Sequence, residues 1–194
     1  MTHLVKRRYE YTFTPNSQQV QNLNDTLGAV RVAYNWALQV FKDTWRKDGG
    51  KISYTEISAA LTTWKNRPEN AWIKNYSSVP LQQIVRQLHT QFHAFTTGRG
   101  EEPAFADEDD NLELIYSRAG YYLKGRNVKL AKHEEPLDID WGTERPERDD
   151  ITSITVVKVS EREWRLRIVA EEFVDVPRQK PPECSECGRP YEMY

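Results

Sequence analysis

Arg31, Asn35, Gln39, Lys42 and Arg46 follow one another at steps of three and four. On a helix that spacing puts them on one side, as a row of three positive charges and two amides. Guanidinium and ammonium groups neutralise phosphate, and amides can bond phosphate or base edges. The chemistry such a row offers is capture of an anionic partner; the plainer reading is a solvated helix face. Two other groups have the residue types of metal chemistry. Asp138-Ile-Asp140-Trp-Gly142 places two carboxylates in a strand-like run, but charged loops flank it, so it reads as a surface loop. Cys184-Ser-Glu-Cys187 is half of a zinc knuckle. Structural zinc takes four ligands and no second pair follows, so zinc at Cys184 and Cys187 is not expected, and no other cofactor is.

The elements that would position these groups follow from periodicity. Opposite the polar row, Leu27, Val30, Tyr34, Ala37, Leu38, Phe41 and Trp45 form an apolar stripe. Before it, residues 5–14 alternate, with Tyr9, Tyr11 and Phe13 on one side, and read as a half-buried strand. Thr14 with Pro15 reads as a helix start, Gly28 as a bend between a short helix and a long one, and Gly49-Gly50 as the stop. Ser53-Tyr-Thr-Glu56 is a capping box for a further helix through Ile57, Leu61 and Trp64. Ser78-Val-Pro80 opens another, with Leu81, Ile84, Val85, Leu88, Phe92 and Phe95 as its buried line. After Gly98 the period turns to alternation. Residues 112–116, 121–124, 128–130, 151–159 and 163–173 read as strands, the last two as a hairpin. The expected class is therefore α+β, with the first strand joining the late strands and the helices inserted between them. The last stretch, residues 174–194, has four prolines and no period, and reads as a tail.

Residue identity adds a resemblance. Thr14-Pro15, Gln18, Gln19, Leu27-Gly28, Arg31 and Tyr34-Asn-Trp-Ala-Leu38 resemble the start of the TnpB (OrfB) family of insertion-sequence proteins. Gly50-Lys-Ile-Ser-Tyr54, Trp72-Ile73, residues 81–95, Pro103-Ala-Phe105, residues 151–156 and residues 164–168 follow in that family's order, so the resemblance covers about residues 4–175. It implies a small antiparallel wedge-like β-barrel (residues 1–14 and 100–175) interrupted by a helical recognition domain (residues 15–99), with a tail at 176–194. It also implies relatedness to type V CRISPR effectors. The RuvC-like nuclease part has no counterpart in these residues, so no catalytic residues and no nuclease activity of the chain's own are expected. The partners implied are a structured guide-like RNA and double-stranded DNA, with a separately encoded RuvC-like subunit as a further option. Matched residue by residue, Tyr54, Ser58, Gln82 and Ser117 stand where TnpB proteins contact a short DNA motif beside the target. Ser78 departs from the basic residue expected there. Arg7, Arg8, Arg31 and Lys42 suit phosphate positioning. A protein-interaction or decoy module, or a non-functional truncated transposon-encoded protein, is the competing reading.

Composition bounds all of this. The 194 residues include 38% hydrophobic side chains, six Trp and ten Tyr, enough for substantial cores. No run of about 18 apolar residues and no signal-like start occur, so a cytoplasmic protein without a membrane partner is expected. Net charge is −2, but it is unevenly spread. Residues 1–100 carry 13 Lys and Arg against 6 Asp and Glu, and residues 101–194 carry 14 against 23. A basic half can bind phosphate whatever the whole-chain balance. The acidic clusters at 101–110 and 134–150 read as solvated loops, with exclusion of nucleic acid from one surface as a lesser reading.

Overall fold

The computed structural model describes residues 2–161 and 163–175. In chain order they form β1 (Thr2–Phe13), α1 (Ser17–Asp48), α2 (Tyr54–Lys65), a 3-10 segment (Pro68–Asn75) and α3 (Ser78–Thr96). There follow β2 (Leu114–Ser117), β3 (Tyr121–Lys124), β4 (Asn127–Leu130), β5 (Leu137–Asp138), β6 (Ile151–Lys158) and β7 (Trp164–Asp175). The class is α+β. One sheet has the order β1-β7-β6-β2 and the other β3-β4-β5, with every pairing antiparallel. β1 pairs with β7 along its whole length, from Thr2 opposite Asp175 to Phe13 opposite Trp164, so the first strand does join the last ones. Among the described residues these pairings close no barrel. The three short strands pair with one another instead of bridging the free edges of β1 and β2.

Local chemistry accounts for the helix limits. The cap of α1 is Asn16 rather than Thr14, because Asn16 and Gln19 form a reciprocal capping box with two bonds of 2.9 Å. Asn16 and Gln19 also hold Glu135 and the Pro136 carbonyl, tying the start of α1 to the loop before β5. No bend occurs at Gly28: α1 is one helix of 32 residues. Its hydrogen-bond ladder tolerates a glycine, which weakens a helix without obliging it to break. Gly49 ends it in the left-handed conformation, φ 68°, with its N–H on the Trp45 carbonyl. The Ser53 and Glu56 box caps α2 as expected, and α3 begins at Ser78 as read, capped by Ser77.

Aromatic contacts fix how the helices pack. Phe41 of α1 meets His89 and Phe92 of α3, and Trp45 meets Phe92 and Phe95, so the two helices run in the same direction. Trp36 stacks on Trp64 of α2 at 4.8 Å. Leu81, Val85 and Leu88 are wholly buried between α3 and its neighbours. Truncating Leu81 or Leu88 to alanine would cost about 2–5 kcal/mol. The helices meet the larger sheet at Gly120, where a Cβ would lie 2.9 Å from both Val79 and Tyr116. A side chain there would push the start of α3 from the end of β2. No helix among the described residues is long and apolar enough to cross a membrane.

Candidate nucleic-acid interface

The polar row of α1 is largely occupied from within the chain. The acidic loop 101–110 lies along it. Asn35 donates to the Ala106 carbonyl and accepts from the Ala106 N–H, both at 2.8 Å. The Tyr34 hydroxyl donates to the Ala104 carbonyl at 3.1 Å. Lys42, whose side chain is only 13% exposed, pairs with Glu102 at 2.9 Å and sits over the Phe105 ring. Arg31 reaches the Glu108 carbonyl at 3.5 Å, and its Nε is buried without a hydrogen bond. Of the five residues on this row Gln39 and Arg46 are exposed; Gln39 donates to Asp43 at 2.7 Å, and Arg46 makes no ion pair among the described residues. Asn35 and Lys42 are thus committed to holding the loop.

A second face is more open. Tyr54 opens α2 half-buried, with the Arg86 guanidinium of α3 over its ring at 4.6 Å and the His89 ring edge-on at 6.3 Å. Ser58 lies one turn further along α2 on the same side as Tyr54, and Gln82 one turn before Arg86 on α3. Gln82 is half-buried and makes no hydrogen bond among the described residues, leaving its amide available. Ser117 closes β2 opposite Ser153, at the end of the sheet where Gly120 packs on Val79. Three of the four positions matched to the family therefore lie on the α2–α3 pair, and the fourth lies on the strand that α3 packs against.

Arg7 and Arg8 stand apart on β1. Arg7 pairs with Glu172 at 3.3 Å, and its guanidinium is held above its usual pKa by the Tyr9 hydroxyl and by Glu172. Arg8 is exposed and unpaired among the described residues, beside a shallow depression that also holds Glu10, Asp140 and Glu144. That acidic company suits phosphate poorly. Asp138 and Asp140 are both exposed, and among the described residues no three His, Cys, Asp or Glu side chains group as a metal cage. Cys184 and Cys187 lie outside the described residues.

Sequence reasoning missed Arg86, although it falls four residues after Gln82 and so shares its face. It also missed Arg118, Tyr122 and Arg148, which gather next to Ser117. The Arg148 guanidinium sits 5.5 Å from the Tyr122 ring, and Arg118 donates to the Asp149 carbonyl. Tyr122 is 55% exposed, an unusual position for an aromatic ring on a strand. No local pattern could reveal the group, because Tyr122 and Arg148 are separated by a hairpin and a long loop.

Strand, helices and antiparallel strands in this order, with polar groups presented by adjoining helices, define an α+β protein whose helical unit is set into its sheet. Residues 1–51 match the helix-turn-helix domain family of OrfB proteins. The described residues of that stretch form β1 and the unbroken α1, with no turn between two helices among them. A protein of Streptomyces pristinaespiralis named "Putative RNA-guided DNA endonuclease" is 35% identical over 175 residues, covering 90% of this chain and 44% of that protein. InsQ of Escherichia coli K12, given the same name, is 26% identical over 171 residues, 87% of this chain and 41% of its own. Virulence protein VsdF of Salmonella dublin is 31% identical over 85 residues, 40% of this chain and 71% of its own. The chain carries the OrfB helix-turn-helix domain and is similar, over most of its own length, to part of the two endonuclease-named relatives, spanning less than half the length of each.

Proposed function

We propose that this chain binds nucleic acid through the α2–α3 face, using Tyr54, Ser58, Gln82 and Arg86, with Ser117 at its margin. The observation that carries the reading is the pairing of Arg86 over Tyr54 one turn from an unbonded Gln82. A guanidinium on an aromatic ring presents a fixed charge to phosphate, and a free amide beside it can make the bidentate contact that identifies adenine. Arg46 extends the phosphate contacts. The relatives' name, RNA-guided DNA endonuclease, supports RNA and DNA as the partner classes; that the RNA is structured and guide-like and the DNA a duplex with a short motif is what the family resemblance implies. The helices over residues 15–99 act as the recognition unit, and β1 with the late strands acts as the wedge that supports it. The described residues supply recognition without strand cleavage.

Fluorescence anisotropy of labelled duplex DNA and structured RNA, measured over a range of salt, tests this. Binding that weakens as salt rises, with Arg86→Ala reducing affinity for every sequence alike, is the expected outcome. Affinity no better than millimolar at low salt, or insensitive to salt, would overturn it.

A further inference from the structure

A cleft of about 360 Å³ opens between the end of α1, the start of α2 and the middle of α3. Phe41, Ile52 and Phe92 form its floor, and Lys51, His89 and His93 line it above them. The two Phe rings lie nearly parallel at 5.3 Å, and His89 is tilted against Phe41 at 5.9 Å. The one carboxylate in the lining, Glu56, is already engaged: it accepts from the Ser53 N–H at 2.8 Å and from the Ser53 hydroxyl at 2.7 Å. That capping keeps its pKa below the usual value. Lys51 is exposed and has no ion pair among the described residues, and the same holds for Arg46 and Lys47 at the end of α1 close by. Flat apolar walls under a rim where Lys51, with Arg46 and Lys47 nearby, outweighs the single Glu56 carboxylate match a ring system that carries an anion. A purely apolar partner would leave those cations facing it without gain.

His89 joins this cleft to the face described above, since its other side meets Tyr54. Resting on that reading of the α2–α3 face, we propose that the cleft takes a single unpaired nucleotide of the bound nucleic acid. The base lies against Phe41, Phe92 and the imidazoles, and the phosphate sits at Lys51. Base stacking on aromatic side chains tolerates any base, so the cleft reads the presence of an unpaired nucleotide rather than its identity.

The test compares a blunt DNA duplex with the same duplex bearing one unpaired adenosine, using the whole 194-residue chain. The bulged duplex binds about tenfold more tightly, within the range expected for one base stacked on aromatic groups. Lys51→Ala and His93→Ala, both exposed positions whose replacement spares the core, each bring that ratio down to about 1. A ratio of 1 in the wild type, or a ratio unchanged in both variants, overturns the assignment. Titration with adenosine 5′-monophosphate, followed through the imidazole proton resonances of His89 and His93, reads the cleft separately. Saturable shifts that inorganic phosphate does not reproduce support it. Should neither duplex bind while the monophosphate does, the reading of the α2–α3 face fails and the cleft belongs to a free nucleotide. Should the blunt duplex bind well and the monophosphate leave both resonances unmoved, only the cleft assignment falls.

Discussion

Asn35 and Gln82 are both amides on helices with polar faces, and the fold uses them differently. Asn35 spends its donor and acceptor on one backbone unit, Ala106, which lies 71 residues away. Such a bond repays the burial of the amide and contributes roughly 0.5–1.5 kcal/mol net, with a larger cost when only one partner is removed. Gln82 spends neither group. Nothing in the helical spacing of residue 35 shows that a distant loop will cover it, which is why the α1 row read as a binding face. The α2–α3 positions are singled out in the sequence only by a family pattern, and Arg86 joins them only through its three-dimensional pairing with Tyr54. His133 supplies a prediction at the same scale. It is only 7% exposed, and burial holds its imidazole below the ordinary value of 6.5. Below that pH the unfolded chain takes up a proton that the folded chain resists, so stability declines as pH falls through about 6.5 and levels off once the folded pKa is passed. Urea unfolding between pH 7.5 and 5 is expected to show this decline, and His133→Gln to flatten it.

At the scale of elements, α1 shows what periodicity does and does not reveal. Its apolar stripe was legible and is buried as read, from Leu27 to Phe41, with Trp45 left partly exposed at the end. Its continuity through Gly28 was not, since a glycine in a sequence marks a weak point but the packing on both sides decides whether the helix breaks. A Cβ built at Gly28 meets nothing within 4 Å. Gly28→Ala should therefore stabilise the protein by about 0.5–1 kcal/mol, raising Tm by roughly 1–4 °C for a chain of this size; calorimetry reads the shift directly. The acidic loop 101–110 is the other element whose role the sequence under-described. Clamped by Asn35, Tyr34 and Lys42, it holds carboxylates where the α1 cations would otherwise meet phosphate. Among the described residues the Glu108 and Asp109 carboxylates accept no hydrogen bond and make no ion pair; only their backbones are engaged, so their neutralisation tests charge alone. Glu108→Gln with Asp109→Asn is expected to raise affinity for duplex DNA by about three- to tenfold at low salt, an advantage that fades as salt screens it. An unchanged affinity at low salt would show that the loop has no influence on binding.

The whole molecule joins a basic half to an acidic one, and the structure shows how they meet. Part of the acidic half is folded onto α1, and further ion pairs cross the sheet: Glu10 bonds Arg165 and Arg167, and Arg167 also holds Glu113. These pairs are largely exposed and contribute little to stability singly. Their larger effect is to neutralise the sheet while the exposed cations Arg46, Lys51 and Arg86 remain around α2 and α3. The α+β class and the return of the last strands to the first were legible from the change of period after Gly98. The pairing of β3, β4 and β5 into a separate sheet was not, because strands this short leave little pattern from which to choose partners. The central claim is that the α2–α3 face reads DNA, with Gln82 setting preference and Arg86 setting strength. Selection of bound duplexes from a randomised DNA library, run with the wild type, Gln82→Ala and Arg86→Ala, tests it most directly. The account predicts a short motif from the wild type, the same motif at lower affinity from Arg86→Ala, and a relaxed motif from Gln82→Ala. No motif from the wild type, or an identical one from Gln82→Ala, would contradict it.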